Sequence, residues 1–193
     1  MRPRMIGRGI VVVLGVTGAA YALYHRTEAY RRGNRLFYRE GRPNRAGRAF
    51  GNLWAVAADQ GLTPSWIVSL ETVGRRTGRR TSVPLVLADH DGQRYAVSML
   101  GERSPWVHNV RAAGGRAVVR HGGHREVMLV EVPPADRPPI LKAYLARAVG
   151  GRPHIPVDPG APLEAFEAVA PDFPVFRIDA LPSGRAATDG PEP

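Results

Sequence analysis

The sequence predicts a mainly β protein, a closed or partly closed antiparallel barrel with a few helices around it. Three observations predict this. Short apolar runs at residues 66–73, 82–88, 94–100, 116–120, 125–132 and 174–179 read as strands. Tight turn signals join them: Gly74 and Gly78 in the first connection, Asp89-His90-Asp91-Gly92 in the second and Gly122-Gly123 in a third. Helical patterns do not alternate regularly with the strands, as a doubly wound parallel sheet requires. Barrel closure is then the natural way to remove exposed strand edges.

The elements follow in order. Asn44 is placed to cap a helix running to about Gln60, with Ala46, Phe50, Leu53, Trp54 and Ala57 at helical spacing and Gly61 as its stop. After the first three strands, residues 105–113 predict a short helix that begins with Pro105 and ends at Gly114-Gly115. The 116–120 and 125–132 hairpin comes next. A helix over about 136–149 carries Ile140, Leu141, Tyr144, Leu145 and Ala148 on one face. A proline-rich connection leads to a short helix at 163–168 and a last strand at 174–179. The domain reading is an N-terminal apolar segment and basic linker over 1–43, a barrel domain over 44–181 and a disordered tail over 182–193.

The N-terminal segment has a distinct layout. Arg2, Arg4 and Arg8 precede an apolar run over residues 9–24, and Arg26, Arg31, Arg32 and Arg35 follow it. A membrane-crossing helix of somewhat short length, a signal peptide with Ala20-Tyr21-Ala22 as cleavage site, and a core or membrane-surface helix all suit this pattern. Membrane association is favoured. The more basic flank follows the run, so an uncleaved anchor would leave the main domain on the cytoplasmic side; a core helix would make the protein cytoplasmic.

The chain of 193 residues carries a formal net charge of +10, almost all of it from arginine, since Lys142 is the only lysine. A coding bias toward Arg, Ala and Gly accounts for such a composition as well as an anionic partner does. There is no cysteine, which excludes disulfides, thiolate catalysis and cysteine metal sites. His121 and His124 flank two glycines, but further metal ligands are not evident, and no metal site is expected. Neither a Gly-x-Ser-x-Gly elbow nor a Walker loop is present. No helix-turn-helix or aromatic-basic interleaving points to nucleic acid.

The chemistry-bearing feature is the run Gly74-Arg75-Arg76-Thr77-Gly78-Arg79-Arg80, four guanidinium groups between two strands. Planar guanidinium forks suit phosphate and carboxylate oxygens, and backbone N–H groups at Gly74 and Gly78 could add to an anion site. A solvated basic hairpin without ligand is the plain alternative.

Two motifs together resemble the deazaflavin-dependent nitroreductase family. One is Gly74-Arg75-Arg76-Thr77-Gly78 followed by Val83-Pro84-Leu85; the other is Pro105-Trp106-Val107-His108-Asn109-Val110-Arg111-Ala112. The resemblance implies a split β-barrel of the flavin-reductase and pyridoxamine-oxidase type, with peripheral helices. It implies coenzyme F420, whose phosphate and polyglutamate tail carry several negative charges, with FMN as runner-up. By the same resemblance Arg75, Arg76 and Thr77 would hold the phosphate, with Arg80 or Arg79 reaching it too. Thr81 stands where the family usually has an arginine three residues before the proline. The stretch Ser82, Val83, Pro84 and Leu85 would line the channel wall. Ser98, Met99 and Leu100 would lie along the deazaflavin ring. Pro105, Trp106 and Asn109 would fix the far side of the coenzyme; read without the family, Trp106, Asn109, Met99 and Leu100 are core or loop residues. Tyr144 is the candidate on the substrate side, and Tyr144 or Ser98 the candidate proton donor.

The function expected is hydride transfer from reduced deazaflavin to a small electrophilic acceptor, a quinone or a nitroaromatic. The apolar N-terminus suits a lipid-soluble quinone. Expected partners are that acceptor and a membrane surface, without nucleic acid; a homodimer is left open. The competing readings are an FMN- or haem-binding barrel and a non-catalytic, membrane-tethered anion-binding protein.

Overall fold

The structure, a computed structural model, describes residues 38–39 and 42–181. The anchor, signal or helix expected over 9–24 and the tail expected over 182–193 lie outside the described residues. Among the described residues no helix is long and apolar enough to cross a membrane.

A minimal hairpin, β1 (Tyr38–Arg39) and β2 (Arg42–Pro43), leads into α1 (Arg45–Asp59). Asn44 caps α1 by accepting the Gly47 N–H at 2.9 Å, which satisfies one of the orphan donors of the first turn. Among the α1 residues whose side chains are described, Ala55 and Ala58 are buried, and Gly51 lies against the Pro84 ring. Small residues let the helix approach the sheet closely. Leu53, grouped by spacing with the apolar positions, instead stands outside at 66% exposure.

Six strands then close an antiparallel barrel. They are β3 (Ile67–Val73), β4 (Arg80–His90), β5 (Gln93–Val97), β6 (Arg116–Arg120), β7 (His124–Glu131) and β8 (Val175–Ala180), joined in the order β3-β4-β5-β8-β7-β6. Pairing of β3 with β6 closes the circle. The barrel expectation is therefore met. Among the described residues the helices are α1, α2 (Pro105–Ala112), α3 (Pro138–Arg147) and α4 (Leu163–Glu167), with short 3-10 turns between.

Strand alternation divides the apolar residues into two cores. Val68 and Leu70 of β3, Val83, Leu85 and Leu87 of β4, Val119 of β6 and Phe176 of β8 point inward and pack with Trp106, Val107 and Val110 of α2, which plugs the barrel. The second core lies outside, where Ile140, Leu141, Tyr144 and Leu145 of α3 cover Ala88, Val97 and Val175.

Boundaries differ from the sequence reading where distant pairing decides them. β4 begins at Arg80, because Arg80 pairs with Val73 across the sheet, so Arg80 belongs to a strand and not to the loop. The second hairpin turns on Asp91 (φ 47) and Gly92 (φ 72) alone; two successive positive φ values define the tight turn that Asp-Gly favours. β5 stops at Val97, and Ser98, Met99 and Leu100 form a turn instead of strand. There the Ser98 hydroxyl donates to the Gly101 carbonyl at 2.8 Å, and Gly101 takes a φ of 63. The helix expected over 136–149 is shorter. A 3-10 turn covers Pro134–Asp136, and Pro138 opens α3 because a proline has no N–H to give an earlier turn.

Candidate functional site

The loop between β3 and β4 folds on its own backbone. The Gly74 N–H donates to Arg79 O at 2.8 Å, and the Thr77 and Gly78 N–H groups donate to Gly74 O at 3.1 and 2.8 Å. Gly78 takes a φ of 65, which an L side chain adopts only under strain. The N–H groups of Gly74 and Gly78, expected to face an anion, are thus used inside the loop, and anion recognition there falls to side chains. Arg75, Arg76, Thr77 and Arg79 are all exposed, and none of the three arginines has a carboxylate partner among the described residues.

The inner end of the loop is held from the barrel plug. Asn109 of α2, buried at 6% exposure, presents its carboxamide oxygen to the Arg75 N–H at 3.2 Å and to Arg75 Nη1 at 3.4 Å. Its Nδ2 donates to Thr72 Oγ1 at 3.3 Å. The Thr81 hydroxyl lies 3.2 Å from Thr72 Oγ1 and 3.3 Å from the Thr72 carbonyl. One proton assignment satisfies the whole set: Asn109 donates to Thr72, the Thr72 hydroxyl to Thr81, and the Thr81 hydroxyl to the Thr72 carbonyl. Thr81, at the position of an expected arginine, is therefore a prop under the loop. Its inward side follows from its register opposite Thr72.

The outer end is held by a carboxylate. Glu71 is 9% exposed and faces away from the barrel interior, one position along from inward-facing Leu70. Its Oε1 accepts Arg80 Nη1 at 2.7 Å; its Oε2 accepts Arg120 Nε and Nη2, each at 3.0 Å. Arg120 also approaches Asp59 of α1 at 3.5 Å. Burial pushes the Glu71 carboxyl up, but the hydrogen bonds and charges of Arg80 and Arg120 outweigh it and hold the group below its usual range. Arg80 keeps 71% of its side chain exposed, with most of its donors unused by Glu71.

The other expected residues divide between the two faces of the barrel wall. Within the expected channel wall, Val83 and Leu85 point into the barrel core, whereas Ser82 and Pro84 lie on the outer face with Arg80. These four side chains cannot line one channel together. Trp106 is buried, its ring 5.4 Å from that of Phe176 at 60° in the barrel interior, while Pro105 starts α2 at the surface. Ser98 is buried, with its hydroxyl on Gly101 O and 2.6 Å from Ser104 Oγ; Met99 and Leu100 are half-buried, Met99 against the second core. Tyr144 belongs to that second core too, packed against Gly151, and is not brought to the arginine loop. His121 Nε2 sits 2.8 Å from Thr63 O. Among the described residues no group of three or more His, Asp or Glu side chains could hold a metal. A surface groove of about 450 Å3, lined by residues such as Tyr95, Glu131, Ile140 and Arg177, contains no member of the arginine site.

Thr72, Glu71 and Arg120 are the site residues that the sequence reading missed. Their partners sit 9 to 49 positions away, so no local motif marks them. A pre-shaped, cationic loop clamped at both ends can bind a polyanion. Three guanidinium groups without a carboxylate partner among the described residues, and a fourth held at the edge, fit a phosphate with carboxylates beside it.

A family described as F420H(2)-dependent quinone reductase matches residues 51–151, just over half of the chain. No curated protein matches it. Among solved structures, an F420-H2 dependent reductase, FDR-A, is similar at 22% identity and a TM-score of 0.40, over 60% of this chain and 95% of that one. A protein of unknown function from Agrobacterium tumefaciens is similar at 15% identity and a TM-score of 0.46, over 74% of this chain and 57% of that one. This chain thus aligns with little more than half the length of the Agrobacterium protein. A putative pyridoxamine 5'-phosphate oxidase from Listeria innocua is similar at 14% identity and a TM-score of 0.41, over 65% of this chain and 90% of that one. With the arginine loop and the six-stranded barrel in place, the family match makes the conclusion plain: this chain belongs to the F420H(2)-dependent quinone reductase family, oxidoreductases that use coenzyme F420.

Proposed function

We propose that the protein reduces a quinone, with F420 held by the Arg75–Arg79 side of the β3–β4 loop. The observation that carries this is the cluster of Arg75, Arg76 and Arg79, three guanidinium groups in five residues without a carboxylate partner among the described residues. When bound, reduced F420 supplies the hydride; the acceptor takes that hydride and a proton to give a hydroquinone. Arg75, fixed by Asn109, orients the phosphate end of the cofactor. Arg76, Thr77 and Arg79 add charge and hydrogen bonds around it. Asn109 and Trp106 act through the scaffold: the first sets the loop, the second fills the barrel behind it. We assign no proton donor, since Ser98 is tied to Gly101 and Tyr144 is packed in the second core.

The quinone is preferred over a nitroaromatic because the family is described by that acceptor. The apolar run over 9–24 adds a second reason, since a protein placed at a membrane meets lipid-soluble acceptors. The deciding experiment follows F420H2 oxidation by purified protein with a quinone series and a nitroaromatic series. Faster turnover of the quinones supports the proposal; turnover of nitroaromatics alone overturns it. Membrane fractionation of the full chain tests the location separately.

A further inference from the structure

Two arginines share one buried acid on the outer wall of the barrel. Glu71 lies on β3, and the register puts Arg80 opposite its neighbour Val73 and Arg120 opposite Ser69. The carboxylate reaches both, one oxygen each. The two guanidinium groups stand in different positions. Arg120 gives Nε and Nη2 to Glu71, points Nη1 at Asp59 and is 30% exposed. Two carboxylates hold it. Arg80 gives Nη1 alone and keeps its remaining donors in solvent, directly after Arg79 and beside the loop.

We propose that Glu71 is a positioning residue of the anion site: it fixes Arg80 at the outer end of the loop, as Asn109 fixes Arg75 at the inner end. The inference rests on the reading of the loop as a cofactor site. Its content is a reversal of sign. Simple electrostatics holds that removing an acid beside a cationic site strengthens anion binding. A positioning role requires the opposite. Without Glu71, Arg80 and Arg120 are left side by side as like charges, and Arg80, with its long flexible stem, loses its carboxylate partner. An anion must then order Arg80 itself, and affinity falls. Arg120 serves as the counterweight that lets a buried carboxylate be fully satisfied, because a buried acid with one exposed partner is costly.

The test is a double-mutant cycle of Glu71→Ala and Arg80→Ala, with Glu71→Gln as a third variant that keeps the side-chain shape. Affinity for oxidised F420 and, separately, for inorganic pyrophosphate is measured by titration, with circular dichroism to check the fold. The Arg Nε–Hε NMR signals are recorded in the protein free of ligand. Glu71→Ala is expected to weaken both anions by on the order of tenfold despite the extra positive charge. The same change in the Arg80→Ala background is expected to have under about twofold effect, because the two residues act as one unit. Glu71→Gln falls between, which keeps the test usable if the alanine variant does not fold. In the ligand-free Glu71→Ala protein the Nε–Hε signal of Arg80, resolved in the ligand-free wild type, is expected to be lost. Unchanged or tighter binding by the Glu71 variants, or losses that simply add, overturns the proposal. Pyrophosphate binding with the expected coupling but no F420 binding sinks the cofactor reading and leaves the positioning role standing. A wild-type protein that binds neither anion removes both.

Discussion

The Asn109 carboxamide oxygen lies 3.2 Å from the Arg75 backbone nitrogen and 3.4 Å from Arg75 Nη1, joining the barrel plug to the cationic loop. Asn109 and Arg75 are 34 positions apart in the chain. One buried side chain thereby fixes both the backbone and the head of an arginine that is otherwise exposed. Replacing Asn109 by alanine leaves the Arg75 N–H and the Thr72 hydroxyl short of partners. The expected cost is about 1–3 kcal/mol of folding stability in urea titrations, with weaker F420 binding. Asn109→Asp separates the two effects. The new carboxylate pairs with the Arg75 guanidinium, so stability is largely kept while anion affinity falls.

Trp106 tests the difference between core and ligand contact. Its ring is buried against Phe176 inside the barrel. Trp106→Ala is expected to destabilise the protein by about 3–5 kcal/mol. Trp106→Phe retains most of the packing and is expected to leave F420 affinity within about twofold. A large loss of affinity in a stably folded Trp106→Phe protein would show that the indole meets the cofactor.

Arg137 is a structural staple whose hydrogen bonds go to residues outside the loop. At 5% exposure it donates to the carbonyls of Val132, Ala170, Pro171 and Phe173 and to Glu131, joining the end of β7 to the segment before β8. Arg137→Ala leaves several buried carbonyls unsatisfied, and a loss of about 3 kcal/mol or more is expected in thermal or urea unfolding. Cofactor affinity of the folded fraction is expected to be unchanged.

Acid should loosen the outer clamp. Glu71 is held below its usual value of 4.5 because Arg80 and Arg120 outweigh burial, and Glu102 is lowered chiefly by its hydrogen bonds to Arg111. Groups whose folded-state pKa is depressed contribute stability above their ordinary pKa and lose it as pH falls through the folded value. Stability is therefore expected to decline as pH drops below 4.5. Glu71→Gln, which cannot titrate, is expected to show a shallower decline. An equally steep decline in that variant would assign the acid sensitivity to other groups.

Much of the barrel was legible because its signals are local. The Asp91-Gly92 turn, the Asn44 cap and the Pro105 helix start each depend on a few adjacent residues. The arginine run was equally visible. The roles within it were not, since they depend on register: pairing Val73 with Arg80 puts Arg80 on the outer face with Glu71 and Thr81 on the inner face with Thr72. Alternate residues of one strand face different walls, so the run Ser82 to Leu85, read as one channel lining, divides between the two faces. Tyr144, the candidate on the substrate side, packs in the second core for a related reason. Its helical spacing marked a buried face but not which of two cores that face enters. Leu53 fell outside because the face of α1 that lies against the sheet carries Gly51 beside Pro84 and the buried Ala55 and Ala58 instead.

The most direct measurement is a titration of the purified protein with oxidised F420 and with FMN, repeated for Arg75→Ala and Arg76→Ala. The expected result is saturable F420 binding, much weaker FMN binding and a drop of on the order of tenfold or more for each arginine variant. An intact protein that fails to bind F420, or that binds FMN as well and ignores both substitutions, would contradict the assignment of the loop as the F420 phosphate site.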